Sequence, residues 1–138
     1  MPEAHSTYDY AVIRVVPRVE REEFVNAGAI VFCLERGFLA ARVELGREKI
    51  LALAPDADLA LIEEHLRAIP AIAAGGEGSG PIGALSPRER FRWLVAPRST
   101  VVQTSPVHAG LCEDPGKALD ELVERMVRRS PSAGAGPA

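Results

Sequence analysis

The sequence predicts an α+β fold: one domain with a largely antiparallel sheet of about four strands, covered by two to three helices. Two apolar segments of strand length flank a short turn that ends in Gly37, as in a β-hairpin. Later segments carry apolar residues every three or four positions, the spacing of amphipathic helices. The predicted order is β-β-β-α-α-β-α, and 138 residues suffice for one core.

The first three strands are predicted from their apolar residues. Residues 8–16 carry apolar side chains on both faces, which is typical of a central strand, and Pro17 ends it. After a charged connector, residues 28–34 form a continuous apolar run, so this strand should be buried on both faces. In residues 38–45 apolar and polar residues alternate, and one face is expected to be solvated.

The first helix is predicted from an apolar stripe at Leu59, Ile62, Leu66 and Ile69. Asp56 or Asp58 can cap its N-terminus, and Pro70 is expected to end or kink it. The Gly-rich segment 74–81 is predicted to be a flexible loop. It lacks the residues and spacing of a phosphate-binding loop.

A second, short helix is predicted to begin at Ser86, because Glu89 completes a capping box with it. Pro97 prevents this helix from continuing past about Val95. Residues 99–105 are rich in β-branched side chains and are predicted to form the fourth strand. The last helix follows Asp114, with an apolar stripe at Leu119, Leu122, Val123, Met126 and Val127.

Bulk composition limits the classes of function. The net charge of −3 argues against nucleic-acid or acidic-membrane binding as the main role. The N-terminal residues have no signal-peptide pattern, and no apolar run is long enough to span a bilayer. Cys33 lies in an apolar strand as inert packing, and no disulfide is expected. The sequence therefore predicts a soluble, reduced, cytoplasmic protein.

The predicted boundaries leave a flexible N-terminus at residues 1–7 and one domain at residues 8–129. A Pro/Gly/Ser/Ala tail at residues 130–138 is expected to be disordered.

The segment 89–112 carries more guanidinium and polar groups than folding requires, so a functional site is expected there. Arg92 and Arg98 suit planar, bidentate recognition of phosphate or carboxylate, and Ser99 and Thr100 add hydroxyl donors. The same arginines could instead form a solvated helix face, or bind an acidic surface on another protein.

Trp93 allows two interpretations. The apolar face of a short helix needs large residues, which favours core packing for the single Trp of the chain. The alternative is partial exposure at a binding site, because Trp is enriched at interface hot spots. Nearby, Gln103 and Ser105 share one face of the predicted strand and Thr104 lies on the other. This polar strand end is either a binding site or simply the exit from the sheet.

Arg14 interrupts an otherwise apolar central strand, and a buried charge is costly unless it is paired. It is expected either to form an ion pair with a carboxylate such as Asp9 or Glu23, or to line a pocket. If the connector after this strand approaches Arg98, then Arg14, Asn26, Arg98 and His108 would converge.

His108 and Cys112 leave three alternatives open: Cys–His nucleophilic chemistry, a zinc site, or a structured loop before the helix that Asp114 caps. With one His and one Cys locally, the structured loop is favoured, and we predict no catalytic residue, metal or cofactor. The candidate binding surface comprises Arg14, Asn26, Arg92, Trp93, Arg98, Ser99, Thr100, Gln103, Thr104, Ser105 and His108.

Four motifs carry a family resemblance: residues 8–10, residues 24–28, the segment ERFRWLVAPRST and the segment QTSPVHAGLCEDP. With these motifs the chain resembles the bacterial domain-of-unknown-function family catalogued as number 3037, over about residues 8–127. Ala27 stands where such sequences often carry Val, a change that is not expected to alter chemistry. The resemblance implies no established reaction, cofactor or ligand. It does imply a partner, a kinase-like protein of the HipA type.

Two functions follow as hypotheses. The first is a non-enzymatic protein-binding module, favoured by the small size of the chain and the Arg/Trp/Gln surface. The alternative is an enzyme or sensor that binds a phosphorylated or nucleotide-like ligand through Arg92, Arg98 and His108, with His108 as an acid or base. Direct nucleic-acid binding ranks lowest, because the chain is acidic and has few aromatic residues.

Overall fold

A computed structural model of the chain describes residues 5–128, with an antiparallel five-stranded sheet at its centre. The strands are β1 (Ser6–Val15), β2 (Val25–Cys33), β3 (Phe38–Val43), β4 (Val102–Thr104) and β5 (His108–Cys112). The helices are α1 (Arg47–Leu53), α2 (Leu59–Ala74), α3 (Gly80–Gly83), α4 (Pro87–Val95) and α5 (Pro115–Val123). A 3₁₀ turn at Val19–Arg21 precedes β2, and a π-helical turn at Glu124–Arg128 extends α5. The predicted α+β class is confirmed.

β1 is the central strand, as predicted. It pairs with β2 along one edge, and β3 pairs with the far side of β2. The other edge of β1 is shared, since β5 pairs with its first half and β4 with its last three residues. Two short strands from one segment therefore lie end to end along β1.

Each face of the sheet has its own core. On one face, buried Ile13 and Ile30 pack with Leu66 of α2 and Leu94 of α4. On the other face, Val31 packs with the α5 stripe, and only Met126 of that stripe is partly exposed. β2 contributes alternate residues to both cores, which confirms that this strand is buried on both faces.

The predicted helix starts are confirmed. The Asp58 side chain accepts a hydrogen bond from the Leu61 N–H at 3.1 Å at the start of α2. Ser86 and Glu89 form the capping box of α4. Asp114 accepts from the N–H groups of the first turn of α5, the nearer at 2.9 Å. Each cap satisfies backbone donors that a helix start otherwise leaves unpaired.

Two local predictions need correction, and one helix was missed. Pro70 does not end α2, which continues to Ala74 because Ile69 and Ala73 are buried against the sheet. The segment His108–Cys112, predicted as a loop, is strand β5, since the free edge of β1 supplies its hydrogen bonds. Helix α1 was not predicted at all. In the first two cases tertiary contacts outweigh the local pattern.

The described residues bear on only one of the two predicted chain ends. β1 begins at Ser6, inside the segment predicted to be a flexible N-terminus. Residues 1–4 and the predicted disordered tail at 130–138 lie outside the described residues. Among helices of residues 5–128, none combines the length and apolar character that a bilayer crossing requires. Cys33 and Cys112 are both buried and free.

An ion-pair network joins the end of β3 to the end of the last helix. The carboxylate of Glu44 accepts hydrogen bonds from Arg128 Nε at 2.9 and 3.0 Å, and a nitrogen of Arg42 lies 3.9 Å away. The hydrogen bonds from Arg128 are the main reason why the pKa of Glu44 lies below its ordinary value.

This pKa shift predicts a pH-dependent contribution to stability. Because the pKa is lower in the folded state, the stabilisation is complete above the usual glutamate pKa of about 4.3 and is lost as the pH falls through the folded-state value. We expect Glu44→Gln to lower the free energy of unfolding at pH 7 by less than about 1 kcal/mol, as for other solvent-screened pairs. The loss should vanish at acid pH, as measured by urea denaturation. If Glu44→Gln lowers the free energy of unfolding equally in a chain that already carries Arg128→Gln, this interpretation is contradicted.

Candidate functional site

Part of the α5-side face of the sheet is open. Helix α5 packs over β2 and β3 and reaches Tyr8 and Cys112 at one end of β1 and β5. The part formed by the rest of β1, β4 and the start of β5 is less covered. There Tyr10, Arg14 and Gln103 are half-buried and His108 is exposed. The register places Asn26 and Gln103 on either side of Arg14, so that three polar side chains form a row across β2, β1 and β4. We call these three residues the polar row.

Arg14 is the central member of the polar row. Its guanidinium lies over the ring of Phe24, 4.1 Å from the centroid, and its Nε is buried without a hydrogen-bond partner. The carboxylates considered as partners are engaged elsewhere or face away: Glu23 pairs with Arg21 at 2.8 Å, and Asp9 lines a groove beside α4. Within residues 5–128 Arg14 forms no ion pair, so the expected ion pair with Asp9 or Glu23 is not formed.

Arg14 and Arg98 line one cavity of about 330 Å³, which we call the arginine cavity. Its lining also includes Ser99 and Gln103 from the segment before and within β4. The remaining walls come from the connector and from the end of β1, namely Val16, Val19, Glu22 and Phe24. Of the four residues that the sequence analysis expected to converge, Arg14 and Arg98 therefore do so.

The other two members of that hypothesis lie apart from the arginine cavity. Asn26 stands beside Arg14 but donates its Nδ2–H to the carbonyl of Met126 at 3.0 Å. His108 pairs with Tyr10, and their ring centroids are 5.4 Å apart. Tyr10 and Arg14 are four residues apart on one strand, which is about 13 Å. His108 therefore cannot act on a group held between Arg14 and Arg98.

Arg98 closes the C-terminus of α4. Its guanidinium donates to the carbonyl oxygens of Leu94, at 3.1 Å, and Trp93, and it lies over the Trp93 ring at 4.3 Å from the centroid. These contacts satisfy carbonyls that a helix end leaves unpaired. Burial lowers the pKa of Arg98 from its ordinary value, because desolvation disfavours the charged form.

Trp93 is not in the core, contrary to the favoured interpretation. Phe91 and Leu94 fill the buried face of α4, and 41% of Trp93 is exposed. With Arg98 it borders a groove of about 350 Å³ between α2, α4 and the start of β4. The groove is lined by Glu64, His65, Ala68, Ile69, Ile72, Trp93, Leu94, Arg98, Thr100 and Val102. We call it the Trp93 groove.

Arg92 does not accompany Arg98. It lines a third groove, of about 590 Å³, on the other side of α4, together with Arg88 and Asp9. Arg92, Arg98 and His108 thus face three different surfaces. The alternative function that requires all three at one ligand is not supported by this arrangement.

The hydroxyl groups of the segment mostly support the backbone. Ser105 is buried, and its Oγ accepts from the Val12 N–H at 2.9 Å, where the chain passes from β4 to β5. Thr104 donates to the Val95 carbonyl at 3.5 Å, and Thr100 donates to the Val102 carbonyl at 2.8 Å. The Thr104 bond links β4 to the end of α4, the Thr100 bond is local, and the Ser105 bond ties the chain to β1. Ser99 is the hydroxyl that lines the arginine cavity.

Cys112 lies in the core beside α5, and burial raises the pKa of its thiol. A raised thiol pKa disfavours the nucleophilic thiolate. His108 lies at the far end of β5, about 13 Å along the strand. Across the part of the chain that the structure describes, no three His, Cys, Asp or Glu side chains gather as a metal site would require.

Two features of these sites escaped the sequence analysis. Phe24 supports the Arg14 guanidinium, whereas the sequence analysis noted it only as part of the family motif at residues 24–28 and gave it no role at a site. Ile72 and Ala68 of α2 form a wall of the Trp93 groove, although the predicted helix stripe did not single them out. No local pattern pairs α2 with α4.

Comparison with known proteins agrees with the resemblance noted above. A family model described as a protein of unknown function, DUF3037, matches residues 10–127 of the chain. The chain belongs to the DUF3037 family. No curated protein and no solved structure matches this DUF3037 protein significantly. Family membership brings no reaction or ligand, so a functional proposal rests on the geometry of the surface.

Proposed function

We propose that this DUF3037 protein is a protein-binding module that engages its partner at the Trp93 groove. The observation that carries the proposal is the exposed, stacked pair of Trp93 and Arg98 at the border of a largely apolar groove. Trp and Arg are among the residues enriched at interface hot spots. An aromatic ring left in water beside an apolar groove is available to bury further apolar surface.

The pair is also preorganised for binding. Arg98 is fixed by the carbonyls of Trp93 and Leu94, so its side-chain entropy is already lost in the free protein. A partner that covers the pair therefore avoids most of that ordering cost, which otherwise reduces affinity. An apolar anchor residue of the partner can pack on the floor of the groove, which is formed by Ile69, Leu94 and Val102.

The first partner to test is the HipA-type, kinase-like protein that the family resemblance suggests. We place the interaction in the cytoplasm, where the free thiols of Cys33 and Cys112 stay reduced. No chemical step on the partner is part of this proposal.

The experiment compares tagged wild type with Trp93→Ala in pull-downs from the native host, followed by affinity measurement with the purified partner. We expect one stoichiometric partner whose Kd rises by about 30-fold or more in Trp93→Ala, the effect of a hot-spot residue. Leu111→Ala is the matched control, because Leu111 is an apolar residue on β5 that is 70% exposed and lies outside the groove. Equal affinity of wild type and Trp93→Ala would place the interface elsewhere, and capture of no partner would contradict the binding module.

A further inference from the structure

The arginine cavity holds more positive charge than the protein neutralises. Arg14 and Arg98 both line it, and neither forms an ion pair within residues 5–128. Glu22 is the single carboxylate of the lining, and it makes no ion pair with either arginine. Two guanidinium groups around one opening, with one carboxylate, leave a net charge of +1 on the cavity wall.

Arg14 is held in place and keeps donor capacity. Phe24 supports one face of its guanidinium at 4.1 Å, and cross-strand pairing with Asn26 and Gln103 fixes its backbone. Its Nε has no acceptor in the protein. A buried charged donor without a partner is unfavourable for folding, and a bound ion is one of the explanations for such a group in a native structure. The planar fork of an arginine suits the oxygens of a carboxylate or phosphate.

Arg98 adds a second, desolvated cation. The carbonyls of Trp93 and Leu94 use two of its nitrogens and orient the group. Because burial disfavours its charged form, an anion bound beside it gains more than it would at an open surface. The Ser99 hydroxyl lines the same opening, and Gln103 Nε2, which donates one hydrogen to the Thr100 carbonyl at 2.8 Å, retains a second N–H.

We propose that the arginine cavity is a binding site for a small oxyanion, a phosphate or carboxylate group held between Arg14 and Arg98. A volume of about 330 Å³ is at the small end of ligand pockets, which suits a small phosphate ester or a di- or tricarboxylate. Val16, Val19 and Phe24 form the apolar wall against which the carbon part of such a ligand packs. Arg98 also borders the Trp93 groove, whereas Arg14 lines only the arginine cavity, so variants of Arg14 test the anion site separately from the partner site.

The test is calorimetric titration of the full chain with inorganic phosphate and with citrate, at constant ionic strength. We expect saturable binding of at least one probe that weakens about tenfold or more in Arg14→Gln, because a charged hydrogen-bonding group is lost. Glu22→Gln should tighten binding, since it removes from the cavity wall a negative charge that repels the anion. Arg92→Gln is the matched control outside the cavity and should bind as wild type does.

A second readout needs no variant. In wild type, the arginine Nε–H signals of Arg14 and Arg98 in nuclear magnetic resonance spectra should shift on addition of the probe, and the Arg92 signal should not. A response to phosphate alone assigns the ligand as a phosphate, and a response to citrate alone assigns it as a carboxylate. Both outcomes support the site. Absence of a response to both probes, or equal affinity in wild type and Arg14→Gln, overturns it.

Discussion

Replacement of Gly28 by Ala is expected to destabilise the domain by about 3 kcal/mol, at the upper end of penalties for overpacking. Gly28 is buried in β2 and pairs with Val43 of β3. A Cβ at this position would overlap the carbonyl oxygen of Arg42 and lie 3.0 Å from the Val43 Cα. Both groups are backbone, so relief requires β3 to move away from β2.

Urea denaturation followed by circular dichroism measures this effect. Gly46→Ala is the control, because a Cβ there meets only the Lys49 side chain, at 3.5 Å or more. Gly46 is the N-cap of α1, where a change to Ala is expected to cost less than about 1 kcal/mol. If both variants lose a similar amount of unfolding free energy, the close approach of β2 and β3 at Gly28 is contradicted. A loss of about 3 kcal/mol is a large share of the 5–15 kcal/mol typical of a domain.

Truncation of Leu122 to Ala is expected to cost about 3 kcal/mol, within the range of about 2–5 kcal/mol for buried leucines. Leu122 is completely buried and joins α5 to the sheet, in the core that contains Val31 and Cys33. The variant loses apolar burial and leaves a cavity that the rigid sheet cannot fill. Leu111→Ala should change stability by less than about 0.5 kcal/mol, because its side chain is mostly solvent-exposed.

The Leu122→Ala variant also tests whether the core beside α5 is coupled to the polar row. Asn26 donates to the carbonyl of Met126, so the end of the last helix holds one member of that row. Hydrogen exchange should therefore report faster exchange in both α5 and the β2 residues near Asn26, while α2 and α4, on the opposite face, keep their protection. Uniform loss of protection across both faces would show that the two cores unfold as one unit.

Local chemistry made the helix starts predictable. A cap depends on residues within four positions of one another, so Ser86 and Asp114 could be assigned from neighbouring residues alone. The first cap was narrowed to Asp56 or Asp58, and the structure selects Asp58. Strands β1, β2 and β3 were equally predictable from their apolar residues, because a buried strand needs apolar side chains wherever it lies in the sheet. The family was also evident in motifs that lie along the chain.

The candidate site was predictable only in part. Arg14, Arg98, Ser99 and Gln103 were selected from the sequence, and the structure places all four around one cavity. Arg92 and His108 were selected on the same grounds and lie on other surfaces. An excess of polar groups marks a segment as unusual, but the side of a helix or strand on which each group emerges depends on what that element packs against. The role of these residues in binding stays a prediction.

The sequence by itself determined the class of fold, the helix caps, the buried strands and the family of this protein. Only the tertiary structure decided that Trp93 faces solvent, that His108–Cys112 forms strand β5, and that Arg14 meets Arg98. The bond from the Val12 N–H to Ser105 joins residues 93 positions apart, and no local pattern encodes such a pairing. Caps and apolar periodicity are short-range, whereas the cavities lie where distant segments pack against β1, and packing of the whole chain sets that geometry.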